Sequence, residues 1–146
     1  MTVDPMPGSE LTFVDANVLA YAHDRSDPRK QSIAQGLLES LWQSESGLLS
    51  TQVLQEFYSV ATRKFDPPMR PKAAREVVSL YGQWRIVPID VALILDASRL
   101  EERHGLFFWD ALIVEAARRA GASSIATEDL QPGRRFGRIA IENPFA

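Results

Sequence analysis

The sequence predicts an α/β domain with a central parallel sheet and helices over both faces. Three observations lead there. Short apolar runs alternate along the chain with longer segments of helical spacing. The 146 residues contain no repeat, low-complexity stretch or internal linker, so they read as one domain with a core of ordinary size. Acids recur where strands end and helices begin, the edge at which such sheets carry their ligands.

The elements follow in order. Residues 11–14 form an apolar strand stopped by Asp15, and residues 18–23 a short helix. Asp27-Pro28 reads as a cap followed by proline at the first helical position. From there Ile33, Leu37, Leu38, Leu41 and Trp42 keep helical spacing to about residue 43. Residues 47–50 are a strand, and residues 51–64 a helix with Val53, Leu54, Phe57, Val60 and Ala61 on one face. The three prolines of FDPPMRP break the chain. Helix resumes over 72–84, a strand over 85–87 ends at Pro88, and another helix covers 91–103. Phe107-Phe108 leads into an apolar helix over 110–120, which Gly121 terminates. A strand at 124–126, the loop TEDLQPGRRFG and a last strand at 138–141 complete the domain, residues 11–146.

Residues 1–10 read as a flexible polar lead-in, with neither the basic start nor the apolar stretch of a signal peptide. No apolar run approaches the roughly 20 residues needed to cross a bilayer. Cysteine is absent, which excludes disulfides and thiolate metal sites, and two histidines make an imidazole-rich zinc site a poor fit. The composition is that of a soluble, cytoplasmic protein. A net charge of −3 gives no sign of a generic nucleic-acid binder. It remains compatible with a nuclease that meets its phosphate through bound cations.

Four acids from four segments fall at the same sheet edge: Asp15 after the first strand, Glu56, Asp110 and Asp129. Asp15, Asp110 and Asp129 could each serve as a helix cap or turn residue. Glu56 shares a helix face with Val53, Phe57 and Val60, where an unpaired glutamate is uncommon. Clustered carboxylates repel one another and raise their own pKa values. A hard cation such as Mg²⁺ or Mn²⁺, which prefers oxygen ligands, resolves that conflict. Glu115 is set aside, since a surface pair with Arg119 four residues on explains it.

Taken in order, FVDANVLAY, STQVLQEFYSVATRK, LFFWDALIVEAARRAGA and IATEDLQPGRRFG resemble the PIN domain, and more narrowly the VapC-type toxins of type II toxin–antitoxin pairs. The likeness runs from about residue 12 to 145. It implies a PIN-like three-layer α/β/α sandwich whose acidic pocket binds Mg²⁺ or Mn²⁺ and hydrolyses RNA phosphodiester bonds, leaving 5′-phosphate and 3′-hydroxyl ends. By that resemblance Asp15, Glu56, Asp110 and Asp129 are the catalytic and metal-binding set, with Asp15 and Asp110 the most direct ligands. Asn17 and Thr127 match supporting polar positions, and the T-x-D spacing favours Asp129 over Glu128. The resemblance also implies a homodimer and a cognate antitoxin docked in an apolar groove, to which Leu19, Tyr21, Leu41 and Trp42 could contribute.

Arg63, Lys64, Arg134, Arg135 and Arg138 are candidates for RNA phosphates or simply solvated charge. Trp109 could stack a base but reads better as core, and His23 could sit near the metal edge but reads better as a structural or surface residue. A phospho-signalling receiver would need a lysine after a late strand, where Lys30, Lys64 and Lys72 do not fall. A haloacid-dehalogenase-type phosphatase would want an aspartate where Asn17 stands. The remaining alternative is a catalytically weak PIN-like module that binds RNA or protein.

Overall fold

The structure is a computed structural model that describes residues 10–146; nearly all of the expected lead-in lies outside the described residues. Among the described residues, six strands and six helices follow one another as β1 (Thr12–Val14), α1 (Ala16–His23), α2 (Pro28–Ser44), β2 (Gly47–Ser50), α3 (Thr51–Arg63), α4 (Pro71–Tyr81), β3 (Arg85–Val87), α5 (Val91–His104), α6 (Phe108–Arg119), β4 (Ser124–Ala126), β5 (Arg135–Phe136) and β6 (Ile139–Glu142). The sheet order is β3-β2-β1-β4-β6-β5. All neighbours are parallel except the β5–β6 edge pair. The chain steps outward from β1 through β2 to β3, then returns to the other side of β1 with β4. This reversal opens a crevice at the carboxyl ends of β1 and β4.

The strands are short and buried, as helices on both faces require. Phe13, Val14, Leu48, Leu49, Ile125 and Ile141 sit in the core with Val18, Leu19, Val53, Phe57 and Leu93 from the helices. Helix α1 packs on α2 and α3, α3 on α4, and α5 on α6. Gly47 is required by packing: a Cβ there would come within 2.2 Å of the Trp84 ring.

Several expectations change. Helix α4 starts at Pro71, the favoured first helical position, and ends at Tyr81 instead of continuing to 84. Helix α6 starts at Phe108, so Asp110 lies within its first turn and caps nothing; the N-cap is Phe107, which has no capping side-chain bond. The expected loop after residue 126 contains the two-residue strand β5. Glu115 is buried and pairs with the Arg118 guanidinium three residues on. Arg119 instead reaches Asp90 at 3.0 Å. Of the side chains expected in an apolar groove, Leu19 and Leu41 are buried in the core and Tyr21 is half-buried, while Trp42 is exposed and packs edge-on against Tyr81 and Trp84. The exposed apolar side chains include Val91, Ile94 and Leu95 on α5, together with Phe107 and Trp109.

Candidate active site at the switch point of the sheet

The register of the two central strands builds the site. Val14 pairs with Ala126, so the next residues, Asp15 and Thr127, emerge side by side at the carboxyl edge. The Asp15 N–H continues the ladder to the Ala126 carbonyl at 3.0 Å. Its side chain does cap α1: Oδ1 accepts from the Ala16 N–H at 2.7 Å. Its other oxygen, Oδ2, accepts from the Thr127 hydroxyl at 2.8 Å. Both residues are buried. Two bonds from fixed donors hold the carboxylate in one orientation.

Asn17 and Thr127 join the strand ends. The Asn17 side-chain amide donates to Asp129 Oδ2 at 3.1 Å and Thr127 Oγ1 at 3.2 Å, with Asp15 Oδ2 at 3.5 Å. Thr127 Oγ1 also accepts from the Asp129 N–H at 3.1 Å, fixing the turn that presents Asp129. Glu128 points elsewhere. It accepts from the Tyr21 hydroxyl at 2.6 Å and pairs with Lys30 at 2.8 Å. Burial pushes the Glu128 carboxyl up, but Lys30 and Tyr21 outweigh it and hold the group below its ordinary value.

The second wall is α3, which begins directly after β2 with Ser50 as its cap. Glu56 is half-buried, and its Oε1 accepts from Gln52 Nε2 at 3.0 Å. The same Nε2 donates to the Trp109 carbonyl at 3.2 Å, tying α3 to the first turn of α6 beside Asp110. Among the described residues, Gln52 Oε1 is buried without a partner. Turning the amide over would face its oxygen to two acceptors, so the clamp on Glu56 and Trp109 keeps that atom unpaired. The sequence reading missed Gln52. The signal available was an amide four residues before an inward glutamate, spacing that favours a side-chain bond on a helix.

Asp15, Glu56 and Asp129 line one cavity of about 430 Å³, together with Asn17, Ser59 and Lys64. Asp110 is not among its lining residues. Burial, countered by the Thr127 and Ala16 bonds and reinforced by the charges of Glu56 and Asp129, pushes the Asp15 carboxyl up to about 6. Burial and then the charge of Asp129 push Asp110 up as well. The charge of Asp129 thus reaches both Asp15 and Asp110, and that of Glu56 reaches Asp15. Among the described residues, however, no three acidic side chains come together as a ready cage for an ion. Oxygen donors on separate elements around an open cleft suit a hard cation that keeps part of its hydration shell. The donor set therefore fits Mg²⁺ or Mn²⁺ held by one or two carboxylates at a time.

The remaining candidates separate clearly. Lys64 faces the acidic cavity. Arg134 lies over the Phe136 ring at 4.7 Å and bonds the His104 carbonyl, while Arg135 and Arg138 are exposed. His23 sits edge-on between Phe57 and Tyr81, where burial lowers its pKa, in keeping with a structural role. Trp109 overturns the expectation of a core residue: it is 64% exposed.

Comparison with known proteins gives a consistent picture. The model of the PIN domain family matches residues 12–141. No curated protein matches the sequence. Among solved structures, the chain is similar to Mycobacterium tuberculosis VapC20, described as a sarcin–ricin loop cleaving toxin, with 23% identity and a TM-score of 0.62 over 81% of this chain and 91% of that one. It also resembles VapBC2 from Rickettsia felis bound to promoter DNA, with 17% identity and a TM-score of 0.64 over 91% and 98%. DNA-bound VapBC from Salmonella typhimurium gives 17% identity and a TM-score of 0.63 over 93% and 99%. At these identities the structural likeness concerns the fold, and the family match spans most of the chain. The protein belongs to the PIN domain family.

Proposed function

We propose that this chain is a metal-dependent endoribonuclease of the VapC type, hydrolysing RNA phosphodiester bonds with Mg²⁺ or Mn²⁺. The observation that carries this reading is Asp15: a buried carboxylate, anchored by two donors at the switch point, with further acids around one open cavity. A carboxylate used only as a cap gains nothing from being placed where neighbouring acids raise its pKa. Asp15 and Asp110 would be the principal ligands, with Glu56 and Asp129 completing the set through water.

When bound, the cation would neutralise the scissile phosphate and acidify water at neutral pH. The chain's own residues supply the positioning. Thr127 and the Ala16 N–H keep both Asp15 oxygens aimed. Asn17 holds Asp129 toward Asp15, and Gln52 holds Glu56. Lys64 on the cavity wall is suited to an RNA phosphate. The proposed protein partners are a second copy of the chain and a cognate antitoxin. Two of the structural neighbours are VapBC assemblies, and α5 offers Val91, Ile94 and Leu95 to such a contact.

The test is incubation of purified protein with cellular RNA in Mg²⁺ or Mn²⁺ and, in parallel, in EDTA. Discrete metal-dependent fragments with 5′-phosphate ends are expected; fragments that persist in EDTA would refute the mechanism. The separation of the acids favours one second reading, a weak PIN-like module that binds RNA or protein. Calorimetric titration with Mn²⁺ discriminates, since such a module need bind no cation.

A further inference from the structure

We propose that Trp109 is a stacking platform for one nucleobase of the substrate, the nucleotide next to the cleaved phosphate; this rests on reading the chain as acting on RNA. Trp109 stands in the first turn of α6, immediately before Asp110. It is 64% exposed, while Phe108 packs edge-on against it at 5.5 Å. An isolated exposed aromatic would need no explanation. Trp109, however, walls a cleft of about 440 Å³ with Gln52, Gln55, Glu56 and Ser59. Glu56 and Ser59 also line the acidic cavity, so the two spaces adjoin across these side chains. A strand whose phosphate lies among the acids therefore carries its neighbouring base to the indole.

The walls suit a base. One side offers an aromatic face, and the other the exposed amide of Gln55 and hydroxyl of Ser59, which can bond base edges without demanding one sequence. The platform is also anchored. Gln52 Nε2 holds the Trp109 carbonyl at 3.2 Å and Glu56 at 3.0 Å, so the amide that orients the acid also fixes the backbone beneath the indole. Gln52 is here a positioning residue, and Trp109 the one that touches the ligand.

Binding is read by titrating short oligoadenylate and oligouridylate into the D15N protein and following tryptophan fluorescence. Trp42 and Trp84 pack on each other and on Tyr81, so quenching is expected to come from Trp109. W109F should keep most of the affinity and lose the quenching. W109A should bind about ten-fold or more weakly, the range of one lost base stack. In cleavage, W109A should raise KM more than it lowers kcat. It should add no further loss on an oligonucleotide that is abasic beside the cut.

Equal affinity of W109A and the parent, or oligonucleotides that leave Trp109 unquenched, would overturn the proposal. So would a W109A protein that loses self-association while binding oligonucleotides normally, since the aromatic surface would then belong to a protein contact. Trp109-dependent binding without cleavage by wild type would uphold the platform and sink the ribonuclease reading. Cleavage that W109A leaves untouched would do the reverse.

Discussion

Replacing Asp15 by asparagine should destroy activity and stabilise the metal-free fold. The carboxyl is buried and raised from 3.8 to about 6. At 1.36 kcal/mol per pH unit, keeping it ionised at neutral pH costs the native state about 3 kcal/mol. The amide removes that charge at nearly constant shape. Its oxygen can still accept from the Ala16 N–H, but its NH₂ then faces Thr127 Oγ1, which must accept where it had donated. That oxygen already accepts from Asn17 and from the Asp129 N–H, so one of these bonds weakens, at a cost of about 1 kcal/mol. The net gain is about 2 kcal/mol at neutral pH, a rise in Tm on the order of 5–8 °C.

The sign with pH is specific. A folded-state pKa above the unfolded one gives the wild type stability that is fully present below about pH 4 and lost as pH rises through about 6. The advantage of D15N should therefore be absent in acid, grow between about pH 4 and 6, and level off above. Thermal unfolding of both proteins in EDTA across that range measures it. Added Mg²⁺ should then raise the wild-type Tm and leave D15N nearly unmoved. A D15N protein no more stable than wild type at neutral pH, or a difference flat with pH, would refute the reasoning.

Three further outcomes follow from the same geometry. E128Q should retain cleavage and lose less than about 1 kcal/mol in denaturant unfolding, because its pair with Lys30 is partly solvated, whereas D129N should lose cleavage about a hundred-fold or more. Q52L removes the donor shared by Glu56 and Trp109; kinetics should show kcat falling, while denaturant unfolding changes by about 1–2 kcal/mol, since the unpaired oxygen departs with the lost bonds. G47A forces a methyl group into the Trp84 ring and should cost about 1–3 kcal/mol in urea unfolding without altering metal binding per folded molecule.

The fold was legible where burial and punctuation agreed. Strands at residues 11–14, 47–50, 85–87 and 124–126 are short apolar runs bounded by caps and turns, and each is present with nearly those limits. The Asp27-Pro28 start of α2 is present as read. Legibility failed where the deciding contact lies far away in sequence. Helix α6 starts at Phe108 with an apolar cap, so Asp110, read as its opening residue, gave a false start signal. The two-residue β5 is too short to show a period and exists through its pairing with β6. Helix α4 stops before Trp84, whose ring packs over Gly47, a partner 37 positions earlier in the sequence.

The candidate site divides in the same way. Asp15, Glu56 and Asp129 could be brought to one cavity from sequence because strand ends in a parallel sheet share an edge. Glu128 is turned toward Tyr21 and Lys30 and Asp129 toward Asn17, partners all more than ninety residues away. Gln52 and the exposure of Trp109 depend on how α3 meets α6, which helical periodicity does not encode.

The most direct measurement is cleavage of one RNA substrate in Mn²⁺ by wild type and by D15N, E56Q, D110N and D129N, each first shown to be folded. Severe loss in all four, with D15N and D110N at background, is the expected result. A D15N protein that cleaves at the wild-type rate would contradict the assignment of the switch-point carboxylate as the centre of the reaction.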